Sequence, residues 1–336
     1  MSLSRKTSRV ERQAGEEAAR IAVAPMMDWT DRHCRYFLRT LNANATLYTE
    51  MITADALHHG DRERLLAFDE HEHPVVLQLG GSDPQRMASA AEQGARYGYD
   101  EININVGCPS DRVQSGRFGA CLMAKPRIVA DCVSAMTSAV EVPVTVKTRI
   151  GIDDQDSYAF LRTFVDEVAA AGCRRFIVHA RKAILTGLSP KENRSIPPLD
   201  YARVYQLKRD YPELDLTING GVKTVEDVRA HLRHVDGVMI GREAYSNPWF
   251  LAELASAFGS HGPASRRAVV LAMLPYIERA LATGVPLKNI TRHMLGLFAG
   301  QPGARAWRRS LSEFAHRPGA GLDVVTRALG MLPAAA

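Results

Sequence analysis

The sequence predicts an α/β fold: a (β/α)8 TIM barrel followed by a small C-terminal helical domain. Eight short runs of β-type residues recur between residues 21 and 240, and most of them are separated by segments with helical apolar spacing. Such alternation builds parallel sheets, and about 250 residues is the usual size of the closed barrel. No G-x-G-x-x-G follows any run, which weakens the alternative of an open doubly wound sheet.

The predicted strands are 21–24, 46–52, 74–79, 101–106, 143–150, 175–180, 214–219 and 237–240. The clearest predicted helices begin at Pro, Ser or Thr, residues that favour a helix start, and span 84–97, 126–139, 157–171 and 224–232. Upstream, residues 1–20 are polar and are predicted to form a disordered leader. We therefore expect a leader at 1–20, a barrel at 21–262 and a helical domain at 263–336.

Composition restricts the class of protein. With 336 residues, 46% of them hydrophobic, the chain can bury a large core. No apolar run approaches the roughly 18 residues of a membrane span, and the polar start is unlike a signal peptide, so we expect a cytoplasmic protein that does not enter the membrane. The five cysteines include no Cys-x-x-Cys pair, which argues against both a disulfide framework and a metal site.

Positive charge is concentrated in the tail. Residues 263–336 hold ten Lys and Arg against three Asp and Glu, a net charge of +7, so that the formal charge of +5 leaves 5 − 7 = −2 for residues 1–262. A basic surface favours a polyanionic partner such as nucleic acid, although it also serves solubility alone.

The stretch 101–123 carries the most chemistry. Its strand alternates, so Asn103 and Asn105 share one face and Ile102, Ile104 and Val106 the other. A buried polar face indicates a ligand, because amides can bond the edge of a heterocyclic ring. Cys108 follows at the strand end, where Pro109 fixes the turn. The alternative is a buried strand followed by a structural thiol.

Other strand ends are polar as well. The C-terminal ends of barrel strands form active sites, and here they carry Gln78, Asn105 with Cys108, Lys147 with Arg149, His179 with Arg181, and Asn219. A single such residue is usually only solvated, but several that converge predict a site.

Glycines follow the last two predicted strands, at Gly220 with Gly221 and at Gly241 before Arg242. Barrels commonly bind phosphate there, since backbone N–H groups can approach its oxygens. A phosphorylated cofactor is therefore expected. FMN is compatible with the other residues, with Lys147 near the pyrimidine side of its ring and Gln78 at its edge.

Together these residues resemble the tRNA-dihydrouridine synthases, and most closely their A branch, over nearly the whole chain. The resemblance rests on A-P-M-M-D-W-T-D-R-H-C (24–34), T-E-M-I-T-A-D (49–55), N-I-N-V-G-C-P-S (103–110), V-H-A-R-K (178–182), G-L-S-P-K-E-N-R (187–194), N-G-G (219–221), G-R-E-A-Y (241–245), I-T-R-H-M-L-G-L-F (290–298) and P-G-A-R-A-W-R-R (302–309). Met27 departs from the leucine of many relatives, and the leader lies outside the match.

The resemblance implies FMN-dependent reduction of the C5–C6 double bond of uracil at positions 20 and 20a of the tRNA D-loop, with NADPH as the reductant and a monomeric enzyme. Cys108 would donate the proton. The implied FMN contacts are Pro25, Met26, Met27, Gln78, Lys147, His179, Asn219, Gly220, Gly221, Gly241 and Arg242. Asn105 and Arg194 would hold the uracil, and Lys191, Arg194, Arg305 and Arg308 would contact tRNA.

The implied chemistry agrees with these residue types. Hydride arriving at C6 leaves a carbanion at C5, and a thiol is still mostly protonated at neutral pH and can quench it. The target base must leave the tRNA stack, at a cost of a few kcal/mol, so backbone contacts are needed. Arg305 and Arg308 are three residues apart on a predicted helix, whereas Trp307 is expected in the core. The loop 112–122 is either a lid or an ordinary surface loop.

Two rival functions share part of this pattern. An FMN barrel that acts on a free pyrimidine or enone has the same fold and cofactor, but it does not explain the basic tail or the pair Lys191 and Arg194. A tRNA-binding barrel without catalysis leaves Cys108, Lys147 and His179 without a role.

Overall fold

The computed structural model describes residues 20–260 and 262–333, and this part of the chain contains nine parallel strands. The leader predicted at 1–20 falls outside the described residues, except for Arg20. The strands are β1 (Ile21–Val23), β2 (Thr46–Tyr48), β3 (Ile52–Thr53), β4 (Val75–Gly80), β5 (Glu101–Val106), β6 (Val144–Arg149), β7 (Arg175–His179), β8 (Asp215–Asn219) and β9 (Gly237–Ile240).

Eight of these strands close into a barrel, as the sequence predicts. Pairing runs from β4 through β9 to β1 and β2, and β2 closes the ring on β4 with Leu47 beside Val75. The two-residue β3 only extends the end of β4. The predicted strand 46–52 is therefore broken in two. At the break the hydroxyl of Thr49 accepts the N–H of Gln78 at 3.0 Å, so a side chain replaces the next ladder bond.

Helices separate the strands of the barrel. The described α-helices are α1 (Arg32–Leu41), α2 (Ala54–His59), α3 (Arg62–Leu66), α4 (Pro84–Tyr97), α5 (Asp111–Ser115), α6 (Pro126–Ala139), α7 (Tyr158–Ala170), α8 (Tyr201–Asp210), α9 (Val225–Leu232), α10 (Arg242–Ser246), α11 (Trp249–Ala257), α12 (Arg266–Ala282), α13 (Leu287–Thr291), α14 (Ala304–Phe314) and α15 (Leu322–Gly330). Short 3-10 helices span Glu70–Glu72, Gly119–Ala124 and Glu192–Arg194.

The predicted helix starts lie at real caps. Ser157 and Thr224 accept the N–H of Phe160 at 3.1 Å and of Asp227 at 3.0 Å, and so begin α7 and α9. Pro84 and Pro126 occupy the first turn of α4 and α6, where no N–H is needed. Neither α1 nor α8 is among the predicted helices, and both contain several basic residues.

The described chain divides into two compact units. Arg20–Asp28 and Thr46–Gly241 form the barrel unit, which holds all nine strands. Trp29–Ala45 and the described residues from Arg242 onward form the helical unit. In the helical unit Trp307 is fully buried, packs on Phe298 and donates its indole N–H to the Met294 carbonyl at 3.0 Å. The predicted domain boundary at 262 remains a proposal.

No helix within the described ranges is long and apolar enough to cross a membrane.

Candidate active site

The end of β5 fixes the loop that carries Cys108. The side-chain oxygen of Asn105 accepts the backbone N–H of Gly107 at 3.1 Å and of Cys108 at 2.9 Å, which closes a local turn after the strand. The Sγ of Cys108 lies 3.6 Å from the hydroxyl of Ser110. These two hydrogen bonds to the Asn105 side-chain oxygen fix the backbone that carries the thiol.

Only two of the five cysteines are half-buried, Cys108 and Cys121. The other three are buried, and burial raises the pKa of Cys132 and of Cys173 to about 12. Cys121 lies in the 3-10 helix after Cys108, and its thiol donates to the Phe118 carbonyl at 3.2 Å. Burial raises the pKa of Cys121 as well. Cys108 is therefore the cysteine that combines partial exposure with a strand-end position.

Gln78 on β4 is buried beside the two asparagines of β5. Its side-chain oxygen accepts an N–H of Asn105 at 2.8 Å, and its own N–H binds the Asn103 oxygen at 2.8 Å. The predicted polar face of β5 is thus real and lies inside the barrel. Asn105, which the resemblance assigns to uracil, uses its oxygen for the Cys108 loop, and one of its N–H groups bonds no described residue.

Lys147 on β6 and Asn219 on β8 meet across the barrel interior. The Lys147 amine donates to the Asn219 side-chain oxygen at 3.2 Å, and Asn219 donates to the Met239 carbonyl at 2.8 Å. Burial, and next the positive charge of Arg149, lower the pKa of the Lys147 amine to about 7. The amine can gain or lose its proton near neutral pH.

His179 ends β7 as a neutral imidazole. Burial lowers its pKa well below the ordinary value, and the nearby charges of Arg149 and Lys147 act in the same direction. An uncharged imidazole can donate one hydrogen bond and accept another. A Cβ added at Gly220 would lie 2.8 Å from the His179 ring, so glycine is needed for the two to meet.

The loop after β8 has the features of an anion site. Gly220 and Gly221 have φ angles of 120° and 75°, a region that disfavours side chains. Their backbone N–H groups make no hydrogen bond within the described part of the chain, whereas the Gly220 carbonyl accepts the Tyr201 hydroxyl at 2.8 Å. Two free N–H donors at a barrel mouth suit a phosphate.

Residues after β1 extend the apolar interior. Met26 packs against a cluster of Ala22, Ala24, Tyr48, Val76, Ile177 and Met239. Pro25 is half-buried, and Met27 is 56% exposed. An apolar surface of this kind can lie against a flat ring.

Arg149 links loops of the candidate site in a way that the sequence pattern does not reveal. It is buried, and its guanidinium donates to the carbonyls of Gly107 at 2.8 Å, Lys182 at 3.0 Å and Asn193 at 3.1 Å. It thereby ties the Cys108 loop to the connection between β7 and α8, which contains both Lys182 and Asn193. Its polar position at a strand end was the available signal, but its three partners are visible only in the fold.

Lys191 and Arg194 lie exposed on this loop between β7 and α8. The buried Asn193 anchors the loop, because its amide accepts the N–H of Ile184 at 2.7 Å and donates to the Ile184 carbonyl at 2.8 Å. Gln114 adds a link by donating to the carbonyls of Pro109 at 2.9 Å and Leu185 at 2.8 Å. The two cations are thus carried on a well-anchored backbone.

The remaining predicted residues are spread over both units. Gly241 follows β9 in the barrel unit, where an added Cβ would meet nothing closer than the Asn219 amide nitrogen at 4.0 Å. Arg242 is exposed and starts α10 of the helical unit. Arg305 and Arg308 are exposed on α14, and neither side chain forms an ion pair with any described residue. Trp307, between them, is core, as predicted.

Within the described ranges, no group of three or more His, Cys, Asp and Glu residues has an arrangement that could hold a metal ion.

Comparison with known proteins decides the family. The dihydrouridine synthase (Dus) family model matches residues 22–329. The chain belongs to the dihydrouridine synthase family. Dihydrouridine synthases are flavin-dependent oxidoreductases, so the chain is an enzyme.

Individual relatives agree with this assignment. The tRNA-dihydrouridine(20/20a) synthase of Vibrio cholerae serotype O1 is 60% identical over 319 residues, which cover 94% of this chain and 97% of that protein. The synthase of the same name from Escherichia coli strain K12 is 62% identical over 318 residues, 94% of this chain and 92% of that one. A solved structure of morphinone reductase superposes with a TM-score of 0.52 at 13% identity, over 72% of this chain and 86% of that chain, and supports the barrel fold alone.

Proposed function

We propose that this dihydrouridine synthase reduces the C5–C6 double bond of uridines 20 and 20a in the D-loop of tRNA, with FMN as its flavin and NADPH as the electron source. The observation that carries the proposal is the half-exposed thiol of Cys108, which Asn105 fixes at the same barrel mouth as Gln78, Lys147 and His179. A proton donor beside neutral and weakly cationic groups suits reduction of an electron-poor ring.

The described residues fit FMN. Gly220 and Gly221 offer the phosphate two N–H groups that bond no described residue, and a Cβ added at Gly241 would meet no described neighbour closer than the Asn219 amide nitrogen at 4.0 Å. We assign the ring to Pro25, Met26 and Met27 on its apolar side, and to Gln78, Lys147, His179 and Asn219 at its polar edge. Arg242 is assigned to the phosphate. Lys147, with a pKa of about 7, takes up its proton when a negative charge develops beside it.

The residues of the chain supply the proton. The chemistry that FMN supplies when bound is hydride transfer: NADPH provides the hydride, and C6 of the uracil receives it. The electron pair of the double bond is then left at C5, and the Cys108 thiol protonates that carbon. The thiolate regains its proton from solvent. Asn105, through its remaining N–H, and Arg194 hold the uracil edge and take the negative charge that develops on its oxygens.

Recognition of tRNA is assigned to exposed cations. Lys191 and Arg194 stand on the anchored loop of the barrel unit, and Arg305 and Arg308 lie on α14 of the helical unit. Cations that bind phosphates hold the tRNA while the target base is out of the stack. We further propose that the enzyme is a monomer and works in the cytoplasm, where its substrate is.

The flavin assignment has a direct test. Denaturing the purified protein and identifying the released flavin by chromatography should give FMN. The released molecule should restore NADPH oxidation when it is added back to the stripped protein. Release of FAD, or a purified protein that binds no flavin, would contradict the assignment.

A further inference from the structure

A continuous chain of buried side-chain hydrogen bonds crosses the barrel interior, from the start of β5 to the loop that carries Cys108. Its members are Glu101, Thr145, Asn103, Gln78 and Asn105, and none is more than 8% exposed. Barrel interiors are normally filled with branched apolar residues. Burying five polar side chains instead costs free energy unless every group is satisfied, so this chain calls for a functional reason.

The hydrogen bonds of this side-chain network all run in one direction. The Thr145 hydroxyl donates to Glu101 at 2.6 Å, and Asn103 donates to Thr145 at 2.9 Å. Gln78 then donates to Asn103 at 2.8 Å, and Asn105 donates to Gln78 at 2.8 Å. The oxygen of Asn105 finally accepts the N–H groups of the Cys108 loop. In every one of these hydrogen bonds, the donor belongs to the residue nearer Cys108 and the acceptor to the residue nearer Glu101.

Both ends impose this direction. At the Cys108 end, backbone N–H groups can only donate, so Asn105 must present its oxygen to them. At the other end, the Glu101 carboxylate accepts from Arg175 at 2.6 Å and Tyr48 at 3.2 Å, so the Thr145 hydroxyl donates to it as well. Thr145 must then accept from Asn103. The three amides between these ends have one orientation each.

The orientation determines what the site offers a ligand. The second N–H of Gln78 and of Asn105 makes no hydrogen bond with any described residue, whereas their oxygens are occupied. Each amide therefore presents a donor to a bound ring. With the chain reversed, each would present an acceptor, and the Cys108 loop would lose its anchor.

We propose that Glu101 and Thr145, at the end of the barrel interior opposite Cys108, are positioning residues that fix the amides of Gln78 and Asn105 and thereby the backbone of Cys108. The inference rests on the proposed function for the roles of Cys108 and Gln78. The hydrogen-bond chain itself can be tested without either role.

Four variants separate the effect of the hydrogen-bond chain from that of ordinary packing. Thr145→Val keeps the shape of the side chain and removes the hydroxyl. Thr145→Ser keeps the hydroxyl and loses a methyl group. Val146→Ala is the packing control, because this buried neighbour on β6 lies on the opposite face of the strand, outside the polar chain. Glu101→Gln removes the charge at the far end and serves as the second test if Thr145→Val does not fold.

The decisive measurement is hydrogen exchange of the Gly107 and Cys108 backbone amides, compared with the global unfolding of each variant. After correction for differences in global stability, we expect exchange at these two amides to be about tenfold or more faster in Thr145→Val than in Val146→Ala. The same is expected of Glu101→Gln. Thr145→Ser should stay within about twofold of the parent protein. Equal exchange rates in Thr145→Val and Val146→Ala would overturn the proposal. So would a rise in exchange rate in Thr145→Ser as large as that in Thr145→Val.

A second readout concerns Gln78. FMN titration of the stripped protein should show about two- to tenfold weaker binding in Thr145→Val than in Thr145→Ser, the net effect of one misplaced hydrogen bond. Equal affinities in the two variants would contradict the part of the inference that concerns Gln78. If the parent protein binds no flavin, the proposed function fails, and the exchange measurement still decides whether the chain positions Cys108.

Discussion

At the scale of single residues, the site depends on how few hydrogen-bonding groups are left for a ligand. Asn105 uses its oxygen for the Cys108 loop, Gln78 uses its oxygen for Asn105, and Asn219 uses both ends of its amide. Among the described strand-end residues, the groups that remain are N–H donors, a neutral imidazole, an amine and a thiol. This set favours a ligand rich in acceptor atoms, such as the carbonyl-bearing rings of a flavin and a uracil.

Replacing the thiol tests the assignment of the acid. Cys108→Ala should keep FMN, tRNA affinity and flavin reduction by NADPH, because only proton delivery is removed. Dihydrouridine formation should fall by about 10²- to 10⁴-fold, the usual range for a positioned acid, in single-turnover reactions with tRNA. The matched control is Cys121→Ala, in the neighbouring 3-10 helix. A normal Cys108→Ala together with an inactive Cys121→Ala would reverse the assignment.

The lowered pKa of the Lys147 amine predicts that the free energy of unfolding depends on pH. Its folded pKa, about 7, lies below the ordinary lysine value of 10.5, so between these values the unfolded chain binds more protons than the folded one. The residue therefore destabilises the flavin-free protein at low pH, and the penalty is relieved as pH rises from about 7 towards 10.5. We expect Lys147→Met to be stabilising relative to the parent protein at pH 6 and progressively less so up to pH 10. Denaturant unfolding of the two proteins at each pH gives the difference, and a gap that does not change with pH would contradict the lowered pKa.

At the scale of elements, the barrel was predictable because its strands and helices have strong local signals. The alternation of Asn103 and Asn105 with isoleucines revealed which face of β5 is polar, and Ser157 and Thr224 marked helix starts. The rule that barrel sites form at the C-terminal ends of strands pointed to most of the candidate site residues. The break after Tyr48 and the role of Arg149 did not follow, since each depends on a partner far away in sequence: Gln78 for Thr49, and Gly107, Lys182 and Asn193 for Arg149.

The helix α14 makes a prediction about RNA. Arg305 and Arg308 are exposed and unpaired among the described residues, whereas Trp307 secures the other face of the helix. The double substitution Arg305→Ala, Arg308→Ala should weaken tRNA binding. The magnitude of the slope of log affinity against log salt concentration should fall by up to about two. Flavin reduction by NADPH without tRNA should not change.

The matched control for that experiment lies on another helix of the same unit. Arg327→Ala, on α15, removes an exposed arginine that already pairs with Asp323 at 3.1 Å. It should leave the salt slope nearly unchanged. An unaltered slope in the Arg305 and Arg308 double variant would remove α14 from the tRNA-binding surface.

At the scale of the whole molecule, the two units carry different properties. The barrel unit holds the polar mouth, and the residues from 263 onward carry a net charge of +7. A flavin barrel for free pyrimidines needs only the first of these. The proposed function uses both the polar mouth and the positive charge. The barrel unit carries out the chemistry, and the helical unit attracts RNA electrostatically.

The most direct test of this account is to incubate the purified protein with an unmodified tRNA transcript and NADPH, and to map the product nucleotide by nucleotide by mass spectrometry. We predict that uridines 20 and 20a each gain the mass of two hydrogen atoms, and that free uridine is not reduced at a comparable rate. Reduction of free uridine as fast as of tRNA, or of tRNA uridines outside positions 20 and 20a, would contradict it.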